Sequence, residues 1–252
     1  MDLQMKPAYT MPELRELCKK EYYSRFQQKM HSIMLYVTRP LLSTNITPNQ
    51  ITIFWVLLQI VASGLLLFGV YWINVVAVLL YIFAMLLDYV DGQIARIKKI
   101  KTYKGIFLEE LGIYFGNPLF FLCLGIGLYR STHLLWYPIL GGLAAIFQLY
   151  SKLAVVHADA YKDPVFRENI EKMKQKLTLR SAEKKKTDLI FFIFRRSQPF
   201  NVMFFGIILN FPEVVLIIYT ALFFLDMLRK LYTQLRTLHR WDKELVSPKT
   251  EK

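Results

Sequence analysis

In "DYVDGQIARIKKIKTYKGIFLEELGI", residues 88–113, two aspartates, an arginine and two glutamates sit between stretches as apolar as lipid-buried helices. To the N-terminal side, "ITIFWVLLQIVASGLLLFGV" at 51–70 is long enough to cross a bilayer alone, which takes about 20 residues at 1.5 Å rise. The next two apolar stretches, 73–87 and 106–128, fill their spans only by including residues of the quoted segment. The charged motif is therefore predicted to lie on membrane helices, close to their ends.

Further apolar stretches at 134–150, 200–209 with a continuation, and 212–228 bring the count to six. With 54% hydrophobic residues and a mean hydropathy of +0.30, a soluble globular domain is a poor fit. The first 30 residues carry charges and no continuous apolar core, so no cleavable signal is read there. Of 32 Lys and Arg, 7 fall in 1–50, 5 in 96–104, 12 in 152–199 and 7 from 229 onward, which leaves only Arg130 elsewhere. Cytoplasmic loops collect basic residues, so six spans with both termini inside put nearly all of them on the cytoplasmic face, together with the motif. The +13 charge follows from that topology and from anionic headgroups, and does not call for a nucleic-acid partner.

The expected architecture is an all-α integral membrane protein in three parts. Residues 1–50 hold an amphipathic interfacial helix over 10–42 and a turn at Pro48 and Asn49. Thr10 and Glu13 start the helix as a capping box, and Leu14, Leu17, Phe26, Met30, Ile33, Val37 and Leu41 form its apolar face. Residues 51–228 form the six-helix transmembrane domain, with a hydrophilic cytoplasmic loop at 157–199, and 229–252 form a basic cytoplasmic tail. Asn210 and Glu213 read as a cap for the last span, and Asp226 as an intrahelical partner of Arg229 or Lys230. Cys18 and Cys123 offer neither a disulfide framework nor metal-ligand spacing, and His31, His133, His157 and His239 are scattered away from the acids.

Asp88, Asp91 and Ala95 share one helical face, with Gly92 and Arg96 on an adjoining strip. If the second and third spans form a hairpin, Asp91 and Glu109 come to similar depth on its two arms. An aspartate at mid-membrane costs about 2.5–3.5 kcal/mol, so three unpaired acids require compensation. All-oxygen ligation suits Mg²⁺ or Mn²⁺, and the small Gly92 and Ala95 leave room for a phosphate-bearing ligand beside Arg96. A buried ion-pair network, or the ion pathway of a small coupled transporter, are the other readings of these residues.

At these residues the sequence resembles the CDP-alcohol phosphotransferase family, also called CDP-alcohol phosphatidyltransferases. The family signature is D-x-x-D-G-x-x-A-R, eight residues, then G-x-x-x-D-x-x-x-D. Asp88, Asp91, Gly92, Ala95 and Arg96 match in order, "IKKIKTYK" supplies the eight, and Gly105 matches the second glycine. The "TPNQIT" leading into the first span fits the same pattern. Glu109 stands for the third aspartate and keeps a carboxylate; Ile113 stands for the fourth, the usual general base, and can neither bind metal nor take a proton. The resemblance implies transfer of a substituted phosphate from a CDP-linked donor to an alcohol, with CMP released, in phospholipid or related lipid-conjugate synthesis. It implies Mg²⁺ or Mn²⁺ on Asp88, Asp91 and Glu109, and substrate contacts from Asp88, Gly92, Ala95, Arg96 and Gly105. At least one substrate would be a lipid. A homologue that binds the CDP-linked ligand without transferring it is the alternative that Ile113 raises. Family members are commonly homodimers, and Gly112 with Gly116 makes a small-residue pair suited to close contact between copies or within one chain.

Overall fold

The computed structural model describes residues 9–18, 25–100, 102–160 and 202–246. Its elements are α1 (Met11–Leu17), α2 (Arg25–Leu42), α3 (Pro48–Leu65) continuing as a 3₁₀ turn Leu66–Phe68, α4 (Tyr71–Ile97), α5 (Tyr103–Thr132), α6 (Trp136–Ala160), α7 (Val202–Ile208) and α8 (Pro212–Val246). Among the described residues there is no strand, and three helical segments are long and apolar enough to cross a membrane: Pro48–Phe68, Tyr71–Ile97 and Tyr103–Thr132. Of the predicted fifth span the structure describes Val202–Ile208 only, and the predicted loop begins inside α6; its remainder at 161–199 lies outside the described residues.

Local chemistry sets the helix starts. Glu13 accepts the Thr10 backbone N–H at 2.8 Å, as its spacing predicts, and these Thr10 bonds hold its carboxyl below the ordinary range. Thr47 and Gln50 form a second capping box, with Thr47 N donating to Gln50 Oε1 at 2.8 Å and Gln50 N to Thr47 Oγ1 at 3.3 Å. Pro48 and Asn49 are thus the first turn of α3 and not a separate turn, because proline is well placed where a helix has no N–H to satisfy. Asn210 adopts φ +64° after α7, so it ends that helix instead of capping α8, a conformation asparagine tolerates. The i, i+4 pair of Lys230 and Asp226 forms at 2.9 Å, as expected.

The outside of the bundle is apolar and part of its inside is polar, the reverse of a water-soluble domain. Ile53, Phe54, Leu57, Ile60 and Val61 on α3 and Trp72, Val76, Leu79 and Phe83 on α4 are exposed, while Thr52, Gln59, Ser63, Asp91 and Gln93 are buried. The main core is aromatic: Tyr81 meets Phe120 at 4.8 Å and Phe121 meets Phe223 at 5.1 Å, both edge to face. Gly69 turns the chain from the 3₁₀ turn into α4 with φ +67°, and a Cβ there would run into the Gly127 carbonyl of α5.

The structure assigns two helix faces that the sequence left open. On α2 the protein-facing residues are His31, Met34, Leu35 and Thr38, whereas Ile33 and Val37 are exposed; on α1 Leu14 is buried and Leu17 exposed. An interfacial helix has two apolar neighbours, protein and lipid, and periodicity does not distinguish them. Gly112 and Gly116 pack within the chain, against Trp55 with Val56 and against Gln59 with Tyr81, so this pair is not available for contact with a second copy.

Candidate active site

The motif occupies the last ten residues of α4 and the first turns of α5, as predicted. At 27 and 30 residues these helices are about 40–45 Å long, so their motif ends reach beyond a hydrocarbon core of about 30 Å. They do not form a tight hairpin. Both pack along α3, and they make little backbone contact with each other. This end is tied together by Lys98 Nζ, which donates to the Thr44 and Ile46 carbonyls at 3.1 and 3.0 Å. Asn49 Nδ2 donates to Thr102 Oγ1 at 3.1 Å, and Thr102 Oγ1 accepts the Gly105 N–H at 3.0 Å.

The floor of the resulting wedge comes from α3. Thr52 Oγ1 and Trp55 Nε1 both donate to Asp91 Oδ2 at 2.7 Å, and Asp91 is buried. Hydrogen bonds to a charged group are each worth about 1.5–3 kcal/mol, enough together to offset the cost of placing one carboxylate there. The far edge of the Trp55 indole rests on Gly112 of α5. One tryptophan ring thereby spans from Asp91 on α4 to the backbone of α5 and sets the width of the wedge. Across it, the Glu109 carboxylate is near enough to act on Asp91 through its charge. Glu109, Glu110 and Asp88 are exposed, and Ile113 is 39% exposed on the same stretch of α5.

Gly92 and Arg96 adjoin the wedge. A Cβ on Gly92 would meet only the Arg96 guanidinium nitrogens, at 3.9 and 4.0 Å, in ordinary contact. Helix packing therefore does not explain this glycine, in contrast to Gly112; its bare Cα lies open beside a cation. Ala95 is partly buried one turn on, and Gly105 lies against the Asn49 side chain, where a Cβ would strike the amide. Arg96 Nη2 lies 3.1 Å from His31 Nε2 of α2, and its buried Nε has no partner. Asp91 takes its bonds from a hydroxyl, an indole and the Gly92 backbone, and Arg96 lies against an imidazole and the Cys18 thiol, which is not the arrangement of an ion-pair network between the two.

The structure brings Asp91 with Glu109, and Gly92 with Arg96, into one region. Among the described residues, no three His, Cys, Asp or Glu side chains are close enough together to hold a metal ion. Sequence reasoning missed Thr52, Trp55, Gln93 and His31. For the first two a signal existed: Thr52, Trp55, Gln59 and Ser63 lie along one face of an otherwise apolar span, and polar groups inside a membrane helix mark function or buried partners.

The sequence model of the CDP-alcohol phosphatidyltransferase family matches residues 45–234 of this chain. The chain belongs to that family. No curated protein matches it significantly. As a member of the CDP-alcohol phosphatidyltransferases, the protein falls among transferases that act on CDP-alcohols, and its apolar helices fit a membrane setting. The matched region runs from the linker before α3 into α8 and leaves α1 and α2 outside.

Proposed function

We propose that the protein transfers a substituted phosphate from a CDP-linked donor to an alcohol, releasing CMP, in the wedge between α4 and α5. The observation that carries this reading is the open Cα of Gly92 beside the Arg96 guanidinium, at the residue that follows an oriented Asp91 carboxylate. In the reaction the acceptor hydroxyl attacks the β-phosphorus, a new P–O bond forms, and the bond to the α-phosphate oxygen breaks with its electrons leaving on CMP. Arg96 pairs with the diphosphate, Gly92 and Ala95 let it approach the helix, and the Trp55 floor keeps water from the inner side. Asp88, Gly105 and the α5 face contribute the outer walls.

The donor set of Asp88, Asp91 and Glu109 is all oxygen and suits Mg²⁺ or Mn²⁺, and Asp91 has the oriented geometry of a ligand with its own supporting hydrogen bonds. The three do not form a preassembled cage, and Asp88 and Glu109 would draw in on Asp91. A bound divalent ion would supply charge stabilisation to the diphosphate. Ile113 provides no base, so the acceptor proton passes to water or to the departing CMP phosphate, and turnover is slowed by about 10²–10⁴ relative to a base-assisted site. The specific observation favouring the second reading, a homologue that binds the donor without transferring it, is this same Ile113.

The purified protein, supplied with Mg²⁺, a panel of CDP-linked donors and a panel of polyol, amino-alcohol and glycerol-phosphate acceptors, is expected to release CMP slowly in an acceptor-dependent manner. Absence of turnover together with tight donor binding, and activity gained in Ile113→Asp, would favour the second reading. Six spans with both termini and the wedge on the cytoplasmic side complete the proposal, and basic-residue distribution supports it. Single cysteines at Ser131 and Tyr103, both exposed, are expected to label from opposite sides of the membrane once Cys18 and Cys123 are replaced. Labelling of both from one side would contradict that topology.

A further inference from the structure

We infer that His31, on the helix outside the family-matched region, positions Arg96 for the donor diphosphate, so that α2 is a working part of the transferase site. The inference rests on the donor-site reading above. Gln93, inside the signature but at one of its variable positions, fixes the register of α2. Its Nε2 donates to the His31 carbonyl at 2.8 Å and its Oε1 accepts from Thr38 Oγ1. Its own carbonyl accepts the Cys18 thiol of α1 at 3.8 Å. Gln93 is fully buried, as is Thr38, and His31 is 6% exposed. His31 and Thr38 are seven residues apart, two helical turns, and so lie on one face. That docking places the His31 ring against the guanidinium.

Arginine has donors only, so His31 Nε2 must accept at its 3.1 Å contact, and the imidazole is neutral there. The choice of a neutral acceptor matters chemically. A carboxylate in that place would orient Arg96 but cancel its charge toward a phosphate, whereas an imidazole orders a side chain rich in rotamers and leaves the charge whole. Beyond His31 and the nearby Cys18 thiol the guanidinium is not saturated, since its buried Nε has no partner. Because its neighbour at Gly92 is a bare Cα, an arginine held in this direction presents itself to whatever anion approaches the helix.

The test is calorimetric titration of CDP in the presence of Mg²⁺ into the full chain in lipid nanodiscs. Arg96→Ala is expected to weaken CDP by about a hundredfold and His31→Ala by about tenfold, the size of one charge-assisted hydrogen bond. His31→Gln, whose amide oxygen can accept in place of Nε2, is expected to restore affinity to within about threefold of the wild type. In the Arg96→Ala background His31→Ala is expected to add nothing, since its effect runs through Arg96. Thr38→Val, which removes one of the two bonds that seat α2 on Gln93 and keeps the one to the His31 carbonyl, is expected to lower the melting temperature and to weaken CDP by clearly less than His31→Ala does. If His31→Ala does not fold, His31→Phe fills the space without an acceptor and carries the same expectation. Should Arg96→Ala leave CDP affinity unchanged, the donor-site reading and this inference fall together. If Arg96→Ala weakens binding, only the inference is overturned by any of three results: an unaffected His31→Ala, an equal loss from His31→Ala in the Arg96→Ala background, or a Thr38→Val loss matching that of His31→Ala.

Discussion

Asp91→Asn is expected to weaken CDP binding in Mg²⁺ at least about a hundredfold, close to 2.7 kcal/mol, while the protein folds as well as or better than the wild type. The two effects have opposite signs for one reason. Asn keeps the shape, and its carbonyl oxygen can still accept from Thr52 and Trp55, but the charge is gone. Removing a buried charge relieves the bundle of its desolvation cost. Removing it from a diphosphate site takes away what attracts a divalent cation, and the ligand loses its counter-charge. Titration of CDP against wild type and variant, each with Mg²⁺ and with chelator, checks this. Equal affinities in all four arms would remove Asp91 from the ligand site altogether.

Gly112→Ala is expected to cost both stability and turnover. A Cβ at this position would collide with the Trp55 ring and Val56, neither of which has slack, since both are buried. Overpacking of this kind costs about 1–3 kcal/mol. The ring can yield only by moving toward Asp91 or by separating α3 from α5, and either motion disturbs the Trp55–Asp91 hydrogen bond at 2.7 Å. A lower melting temperature and at least a tenfold loss in CMP release at temperatures where the variant is folded are the expected results. Gly64→Ala is the control, because nothing lies within 4 Å of its added Cβ. Alanine is favoured over glycine in a helix by about 0.5–1 kcal/mol, so this variant should be neutral or slightly more stable. Loss of the same size in both variants would mean that the Trp55 contact does not set the width of the wedge.

What could be read from the sequence was local or carried by fixed spacing. The acids fell on helices because the apolar stretches were too short without them, and α4 and α5 include them. The capping box at Thr10 and the pair at Asp226 and Lys230 depend on neighbours three or four residues away. The parts that were missed depend on contacts between distant segments: Trp55 reaches Asp91 across 36 residues and His31 reaches Arg96 across 65. Periodicity places residues on a face but does not say which helix that face meets. Hence the helix expected to form a tight hairpin with α5 packs chiefly on α3, and a histidine far from the acids in sequence came to lie beside their arginine. The buried polar row on α3 was visible as an anomaly in an apolar span, and its target was not.

The most direct test of the account is an experimental structure of the full chain in lipid nanodiscs with a CDP-linked donor and Mg²⁺. The account predicts the diphosphate lying against the Gly92 Cα, within hydrogen-bond distance of the Arg96 guanidinium, with the wedge floored by Trp55 and Thr52. A donor seated elsewhere in the bundle, with the space beside Gly92 filled by lipid or by a neighbouring helix, would contradict it.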